Sequence, residues 1–455
     1  MNLRPHVVAI GAGFAGLSVA RGLARQPVDV TLIDRHNFTT FQPLLYQVAT
    51  SGLNAADVAY PVRGLLHRQA NVRFRHGEVV GVDWDARELH VEAAAGSPSI
   101  PFDHLVVAAG ARTSWFDVTG AHRWARPLYT LDDAVNLRNH IVGRFEAADA
   151  DPSLIDDGAL TFVVVGGGPT GVEMAGALAE LVAVVFRRDF PRLDVDRARI
   201  VLLEARDTLL PPFRPASQRH ALKTLRARQV EVRLDDSVAE VGERDVRLSD
   251  GELVQAHTVV WAAGVRANPL AEVLGLATTR GGRIVVGDDL TVPDRPGVWA
   301  VGDVAAATAR RGGDTLPQLA PVAMQSGAHV ARQIGRQLSG RPTRPFRFHD
   351  KGTMATIGRR AAVAELPGGI TLRGTLAWLA WLGLHIFYLA GLRNRASVML
   401  NWAWGYLTWD RGPRLILRQP ALDRPADGAG GRPSGSADGS VSRPDGPSDN
   451  VPAHG

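Results

Sequence analysis

The sequence predicts an α/β protein with two Rossmann-like dinucleotide-binding domains, one inserted into the other, and a C-terminal helical segment. Two observations predict the domains: a GxGxxG fingerprint occurs twice, and each copy is followed by an apolar run that ends in an acidic residue. An apolar run also precedes each copy and helical apolar spacing follows it, which is the context in which this motif is specific. A third observation, an uncharged run over residues 375–392, predicts the C-terminal segment.

The first fingerprint consists of Gly11, Gly13 and Gly16, and Asp34 ends the apolar run that follows it. In such a turn the first glycine makes the tight bend, the second lets backbone N–H groups approach a pyrophosphate, and the third allows close packing of helix on strand. The helix N-terminus adds partial positive charge. We therefore predict a dinucleotide site here. The alternative is a set of glycine turns in an α/β protein that binds no nucleotide.

The second fingerprint, Gly166, Gly168 and Gly171, repeats this pattern, and Glu204 ends its second apolar run. An acid at that position hydrogen-bonds an adenine ribose and disfavours a 2′-phosphate. NADH is therefore favoured as the second nucleotide, while the nearby Arg206 leaves NADPH open.

Each half then ends a strand in an Ala-Ala-Gly motif, at Gly110 and Gly264, and we expect both glycines to lie beside the cofactors. A later apolar strand runs into Gly302 and Asp303, which indicates that the first domain resumes there. In flavoproteins with two dinucleotide domains, such an aspartate binds the ribityl chain of FAD. An ordinary helix N-cap is the alternative for Asp303. The predicted domains are an FAD-binding domain over 1–118 and 289–345, an NADH-binding domain over 119–288, a C-terminal membrane-associating region over 346–418 and a disordered tail over 419–455.

Charge and composition exclude several classes of function. The formal net charge of +5 is small for 455 residues, and no basic stripe is interleaved with aromatic side chains, so we expect no nucleic-acid partner. The sequence contains no cysteine, which excludes disulfides and electron transfer from a flavin to a cysteine pair. No metal site is predicted. The apolar N-terminal run contains the glycine turn and lacks a cleavage site, so we predict no cleavable signal peptide.

The uncharged run over 375–392 is at the lower length limit for a spanning helix. His385 within it argues against full burial in lipid. Helices that lie in the membrane surface are therefore favoured, with a short spanning helix and a soluble oligomer interface as the alternatives. The region 375–409 is expected to contact lipid, with aromatic side chains at the headgroup level and two arginines reaching anionic headgroups. Those residues are Trp402, Trp404, Tyr406, Trp409, Arg393 and Arg395.

Several further blocks, together with the fingerprints, resemble the type II NADH dehydrogenases, which are single-subunit NADH:quinone oxidoreductases that do not pump protons. The blocks are FQPLLYQVA at 41–49, GVE at 171–173, GD at 302–303, LAPVAMQ at 319–325 and DKGTMATIGR at 350–359. The resemblance implies FAD in the first domain, NADH in the second and a quinone that reaches the flavin from the membrane. It also implies attachment to the cytoplasmic face of a bacterial inner membrane.

The resemblance further implies roles for three residues. Glu173 would orient nicotinamide against flavin, Gln325 would hydrogen-bond a quinone oxygen, and Lys351 would stabilise negative charge on flavin or quinone. A helix-dipole partner is the alternative for Glu173, and a surface lysine is the alternative for Lys351. Pro321 departs from the family pattern, because many members have a glutamine there. The sequence does not decide whether the protein forms a homodimer. Two alternative functions also stay open: a soluble FAD-dependent reductase of an electron-transfer protein, and a redox-responsive interaction protein.

Overall fold

The computed structural model describes residues 4–94, 96–309, 313–408 and 414–416. The fingerprints, their strands and the C-terminal helices up to Thr408 all fall within these ranges. The predicted disordered tail, 419–455, lies outside the described residues, and so does Trp409.

A five-stranded parallel sheet forms around the first fingerprint. Its residues are mainly β-branched and aliphatic, because a parallel sheet is covered on both faces. Its strands, in spatial order, are Val298–Ala300, His104–Val107, His6–Ile10, Asp29–Asp34 and Val72–His76. Helices Phe14–Leu23 and Ala320–Leu338 pack together on one face of this sheet. The chain thus returns to the first sheet after building the second, while the domain boundaries given above stay a prediction.

A second five-stranded parallel sheet forms around the second fingerprint. Its strands, in spatial order, are Arg126–Pro127, Thr258–Trp261, Thr161–Val165, Arg199–Leu203 and Val230–Arg233. The helix Pro169–Glu180 follows the glycines and is buried along most of its length. It packs closely on the strand Thr353–Gly358, since a Cβ added at Gly176 would lie 2.2 Å from the carbonyl oxygen of Ile357. This contact holds the C-terminal region against the second nucleotide helix.

The other elements connect and flank the two sheets. The smaller antiparallel pairings join Glu78–Asp83, Glu88–Glu92 and Ser99–Pro101; Val238–Val241, Asp245–Leu248 and Leu253–Gln255; Thr353–Gly358, Ala361–Glu365 and Thr371–Arg373; Ala111–Thr113 and Val265–Ala267; and Phe38–Thr40 and Ala59–Pro61. Further α-helices are Leu45–Ala49, Ala55–Val58, Val62–Leu66, Ala121–Trp124, Leu131–Ala150, Arg187–Asp189, Pro215–Ala227 and Leu270–Val273.

The uncharged run over 375–392 is divided between two helices, Gly374–Tyr388 and Leu392–Thr408. The first ends because Leu389 is extended, and Arg395 donates hydrogen bonds to the carbonyls of Phe387 and Leu389. Fifteen residues rise only about 22 Å, short of the roughly 30 Å of a bilayer core. By length and composition, one helix of the described residues could cross a membrane, Pro169–Asp189, and 67% of its apolar window is buried inside the protein.

The two C-terminal helices face the protein with their tryptophans and amides. Trp381 and Trp402 are 1% and 7% exposed and join the main core. On the helix Leu392–Thr408, Ser397 and Asn401 donate to the carboxylate of Asp57. The expectation that Trp402 lies at a lipid headgroup interface is therefore wrong, because its indole N–H donates to Gln47 at 2.7 Å inside the protein.

Candidate functional site

The two glycine turns have the same geometry. Gly11 and Gly166 have φ values of +103° and +109°, and an added Cβ would clash with the backbone of the neighbouring strand end. An added Cβ at Gly16 or Gly171 would lie 1.8 Å from the carbonyl oxygen of the first glycine of its own turn. These four positions need glycine to form the turn itself, whether or not a ligand is bound.

The middle glycines differ from the others. A Cβ added at Gly13 or Gly168 would meet no atom within 4 Å, and neither residue has a positive φ. The protein itself therefore does not require glycine there. The open space in front of each turn is what the backbone approach of a pyrophosphate demands.

The predicted ribose-binding acids lie directly against the turns. The carboxylate of Asp34 accepts hydrogen bonds from the backbone N–H groups of Ala12 and His36, at 2.6 and 2.7 Å. The carboxylate of Glu204 accepts from those of Gly167 and Arg206, at 2.5 and 3.0 Å. Each acid therefore sits beside its glycines, in the position from which it could reach a ribose.

A cleft of about 350 Å³ extends from the first glycine turn, and residues 129–132 and 268–270 also line it. Gly110, with φ +71°, lies in its wall. Gly264, with φ +154°, is not part of this cleft and packs against the ring of Phe116. Tyr129 also lines the cleft, and burial together with the charge of Asp303 raises the pKa of its hydroxyl.

The Gly-Asp pair forms a short turn after the strand Val298–Ala300. Gly302 has φ +70° and its N–H donates to the hydroxyl of Ser326 at 3.0 Å. Burial raises the pKa of Asp303 to about 6, and the charge of Arg283 opposes this rise. Within the described ranges, no hydrogen-bond donor reaches the Asp303 carboxylate.

Arg283 is a candidate that sequence reasoning missed. One guanidinium nitrogen donates to the carbonyl of Leu316 at 2.9 Å, while Nε and Nη2 are buried without a hydrogen-bond partner among the described residues. No motif surrounds this arginine in the sequence, so only its position beside Asp303 reveals it. A partly buried carboxylate and guanidinium with unused hydrogen-bonding capacity fit the hydroxyl-rich part of FAD.

Glu173 lies at the junction of the second nucleotide helix with the C-terminal region. It is 9% exposed and accepts a hydrogen bond from the backbone N–H of Thr356 at 3.3 Å. Burial raises the pKa of Glu173 to about 8, while that N–H and the indole of Trp381 act in the opposite direction. The carboxyl group is therefore mainly neutral at pH 7.

Gln325 and Lys351 belong to one local assembly. The side-chain amide of Gln325 makes two hydrogen bonds to the backbone of His349, one donated at 2.9 Å and one accepted at 3.0 Å. This tethers the segment before Lys351, whose ammonium lies 3.3 Å from the hydroxyl of Tyr388. One amide hydrogen of Gln325 stays available for a ligand.

Aromatic side chains connect the C-terminal region to the first nucleotide helix. The rings of Trp381 and His385 stack at 3.9 Å, and the ring of His385 meets Phe41 edge-on at 5.9 Å. Phe41 in turn contacts Phe14 in the first nucleotide helix. These ring contacts connect the helix that carries Trp381, His385 and Tyr388 to the first nucleotide helix.

Two family models match the chain. The model of the pyridine nucleotide-disulphide oxidoreductases matches residues 5–327, and that of the NDH2 C-terminal domain matches residues 350–408. A type II NADH:quinone oxidoreductase of Mycobacterium tuberculosis is 38% identical over 430 residues, which cover 91% of this chain and 90% of that protein. One from Staphylococcus haemolyticus is 30% identical over 372 residues, which cover 80% and 90%.

Solved structures agree on the fold. The structure of NDH2 from Plasmodium falciparum in complex with NADH has a TM-score of 0.83 at 18% identity, covering 90% of this chain and 100% of that one. A sulfide:quinone oxidoreductase from Aquifex aeolicus has a TM-score of 0.67 at 18% identity, covering 89% and 95%. The predicted fold class and the family resemblance are confirmed. By its sequence similarity over nine tenths of its length, the chain belongs to the type II NADH:quinone oxidoreductases.

Proposed function

We propose that this protein oxidises NADH and reduces a quinone through bound FAD, at a membrane surface and without pumping protons. The observation that carries the proposal is the pair of equivalent glycine turns with open space before Gly13 and Gly168. One chain therefore offers two dinucleotide sites, and the Gln325–Lys351 assembly contacts the C-terminal helix Gly374–Tyr388 through Tyr388. The domain boundaries predicted from the sequence belong to this proposal.

The first turn is the proposed FAD site. Gly13 would admit the pyrophosphate, Asp34 would bind the adenine ribose, and Asp303 with Arg283 would bind the ribityl hydroxyls. FAD, when bound, accepts a hydride from NADH and passes two electrons to the quinone. Asp303, whose pKa is about 6, is mainly ionised at pH 7 and can accept hydrogen bonds from hydroxyl groups.

The second turn is the proposed NADH site, with Glu204 on the adenine ribose. Glu173 lies near the N-terminal end of the same helix, Pro169–Glu180, so its side chain could position the nicotinamide end. Because its pKa is about 8, Glu173 would present a mainly neutral carboxyl group to a bound nicotinamide at pH 7. It can donate a hydrogen bond there and adds little negative charge next to the site of hydride transfer.

The quinone is assigned to the side of Gln325 and Lys351. The free amide hydrogen of Gln325 would hydrogen-bond a quinone oxygen, and the ammonium of Lys351 would stabilise the negative charge that develops on it. Gln325 has a second role in this proposal. Its two hydrogen bonds to His349 hold the segment that carries Lys351.

Single replacements of Gln325 and Lys351 by alanine are expected to separate the two half-reactions. Lys351→Ala should slow flavin reoxidation by quinone roughly 10²- to 10³-fold, the usual loss for one donor to developing charge. Anaerobic flavin reduction by NADH should change less than about twofold, since neither residue is assigned to the nicotinamide. Stopped-flow flavin absorbance measures both rates.

Lys223, the other lysine of the chain, supplies the matched control. Lys223→Ala should leave both half-reactions unchanged. Slowed reduction by NADH with normal reoxidation in Lys351→Ala would move this residue to the nicotinamide side. Normal rates of both half-reactions in Lys351→Ala would show that Lys351 is a surface lysine with no role in either half-reaction.

Membrane attachment is assigned to the outer face of the two C-terminal helices. Their outward positions carry large apolar side chains, several more than half exposed, while their inward positions carry the buried tryptophans and amides. The exposed side chains are Leu376, Leu379, Leu384, Phe387, Leu392, Met399, Leu400, Trp404 and Leu407; we call them the outer stripe. A helix pair with this polarity suits a bilayer surface better than water.

The charges around the outer stripe refine the expected lipid contacts. Arg393 is exposed beside it and is assigned to anionic headgroups. Arg395 instead donates to the carbonyls that end the preceding helix, so we assign it a capping role. The cytoplasmic face of a bacterial inner membrane is the proposed location, and a homodimer stays open.

Glutamates on the outer stripe are expected to detach the protein without unfolding it. Each leucine that leaves the apolar phase costs roughly 1.5–3 kcal/mol, so the triple variant Leu379→Glu, Leu400→Glu and Leu407→Glu should bind at least about a hundredfold more weakly. Flotation with liposomes that contain phosphatidylglycerol measures the loss.

The matched control is Leu253→Glu, which changes an exposed leucine on a strand outside the outer stripe. It should float like the wild type. Flavin content and thermal unfolding of the triple variant should also match the wild type, because its three positions are outside the core. Unchanged flotation of a folded triple variant would show that attachment lies elsewhere.

A further inference from the structure

A second cavity lies away from both glycine turns, between the nucleotide helix Pro169–Glu180 and the two C-terminal helices. Its volume is about 160 Å³. It is lined by four of the ten tryptophans of the chain and two tyrosines: Trp378, Trp381, Trp402, Trp404, Tyr46 and Tyr406. Neither Gln325 nor Lys351 is part of its wall.

The aromatic wall is held in one arrangement by contacts within the protein. Trp381 meets Tyr46 at 6.4 Å and Trp402 at 5.8 Å between ring centroids. Gln47 accepts from the indole of Trp402 and donates to the hydroxyl of Tyr46 at 2.8 Å. The cavity is therefore preformed, and binding would require little ordering of its side chains.

Two charged residues belong to the wall, Glu180 and Arg359. Glu180 accepts from the side chain of Arg228 at 2.5 Å and from the backbone N–H of Arg359. The guanidinium of Arg359 donates to the carbonyl of Tyr406 and lies over its ring, 5.4 Å from the centroid. A charged ligand would lose its hydration against a mainly aromatic wall, so this wall favours a neutral molecule.

The size of the cavity and the position of its opening further restrict the kind of ligand that can bind. Apolar protein cavities of roughly 150 Å³ take up one benzene ring, so a single or fused planar ring is the matching size. Trp404 lines the cavity while it is 61% exposed on the outer stripe. The cavity therefore borders the surface that we assign to the membrane.

We propose that this aromatic cavity is a second binding site, which takes up a neutral molecule of one or two planar aromatic rings from the bilayer. Entry from the bilayer rests on the proposed membrane attachment, whereas binding itself does not. Trp381 separates this site from His385, on which it stacks at 3.9 Å.

Titration calorimetry with 2-naphthol on the full-length, FAD-loaded protein in detergent tests the site. We expect saturable binding with one molecule per chain, after subtraction of the heat from micelles alone. Naphthalene-2-sulfonate, which has the same rings and a permanent charge, should bind at least tenfold more weakly. Equal binding of the two probes, or the absence of a saturable signal, would overturn the proposal.

Two variants that enlarge buried side chains of the wall locate the binding. Leu53→Phe and Ala177→Leu should each weaken 2-naphthol binding at least tenfold, while Leu407→Phe on the outer stripe should not change it. Flavin content and thermal unfolding identify a variant that fails to fold. In that case Trp404→Ala, at the exposed mouth, should give the same loss.

The same titration distinguishes this site from the quinone site. Gln325→Ala should leave 2-naphthol binding unchanged. Binding that survives both filling variants and is lost in Gln325→Ala would assign the probe to the quinone site and overturn the proposal. A failure of the quinone assignment alone would leave the calorimetric result intact.

Discussion

Replacing Gly13 by valine is expected to give a folded protein that purifies without flavin. A Cβ added at this position meets no atom within 4 Å, so we expect the apoprotein to accommodate the valine. The valine instead fills the space through which a pyrophosphate would approach the backbone N–H groups. The absorbance spectrum of the purified protein reports flavin, and circular dichroism reports the fold.

Gly168→Val is the matched variant in the second turn, since its surroundings are equally open. It should retain FAD and lose rapid flavin reduction by NADH. Gly11→Val is unsuitable for this test, because φ of +103° and a backbone oxygen 2.3 Å from the added Cβ would disturb the turn itself. A normal flavin spectrum in Gly13→Val would remove FAD from the first turn.

Truncation after Gly374 is expected to prevent stable folding rather than release a soluble enzyme. It removes Trp381 and Trp402, which are buried in the main core, and it leaves the 6% exposed Asp57 without two hydrogen-bond donors. Truncating one buried tryptophan costs about 3–5 kcal/mol, against a total stability of about 5–15 kcal/mol. Soluble yield and thermal unfolding measure the effect.

The glutamate variant of the outer stripe is the comparison for this truncation, because it changes the same helices without touching the core. We expect it to be soluble and flavin-loaded where the truncated chain aggregates. A truncated protein with wild-type flavin content and thermal unfolding would contradict the assignment of these helices to the core.

The sequence predicted the nucleotide turns well, for local reasons. The strand, glycine turn, helix, strand and acid are contiguous, so their mutual geometry follows from short-range bonds and φ values. Asp34 and Glu204 lie against the turns that their spacing indicates. Arg283 was missed, because it reaches Asp303 only through the way distant segments pack.

The C-terminal helices show the other limit of sequence reasoning. An aromatic, uncharged composition predicts contact with something apolar, but it does not say which side chains face protein and which face lipid. The tertiary structure determines which side chains face the protein. Trp402 donates a hydrogen bond to Gln47, and Asn401 donates one to Asp57, and both acceptors are far away in sequence.

The sequence by itself determined the fold class, the two dinucleotide turns, the family and the presence of an apolar C-terminal segment. Only the tertiary structure decided the raised pKa of Glu173, the tether between Gln325 and His349, the orientation of the C-terminal helices and the aromatic cavity. The physical reason is the distance in sequence between the residues that interact. Turns and strands depend on neighbours in the chain, whereas burial, desolvation and cavity shape depend on residues that come together only when distant segments pack.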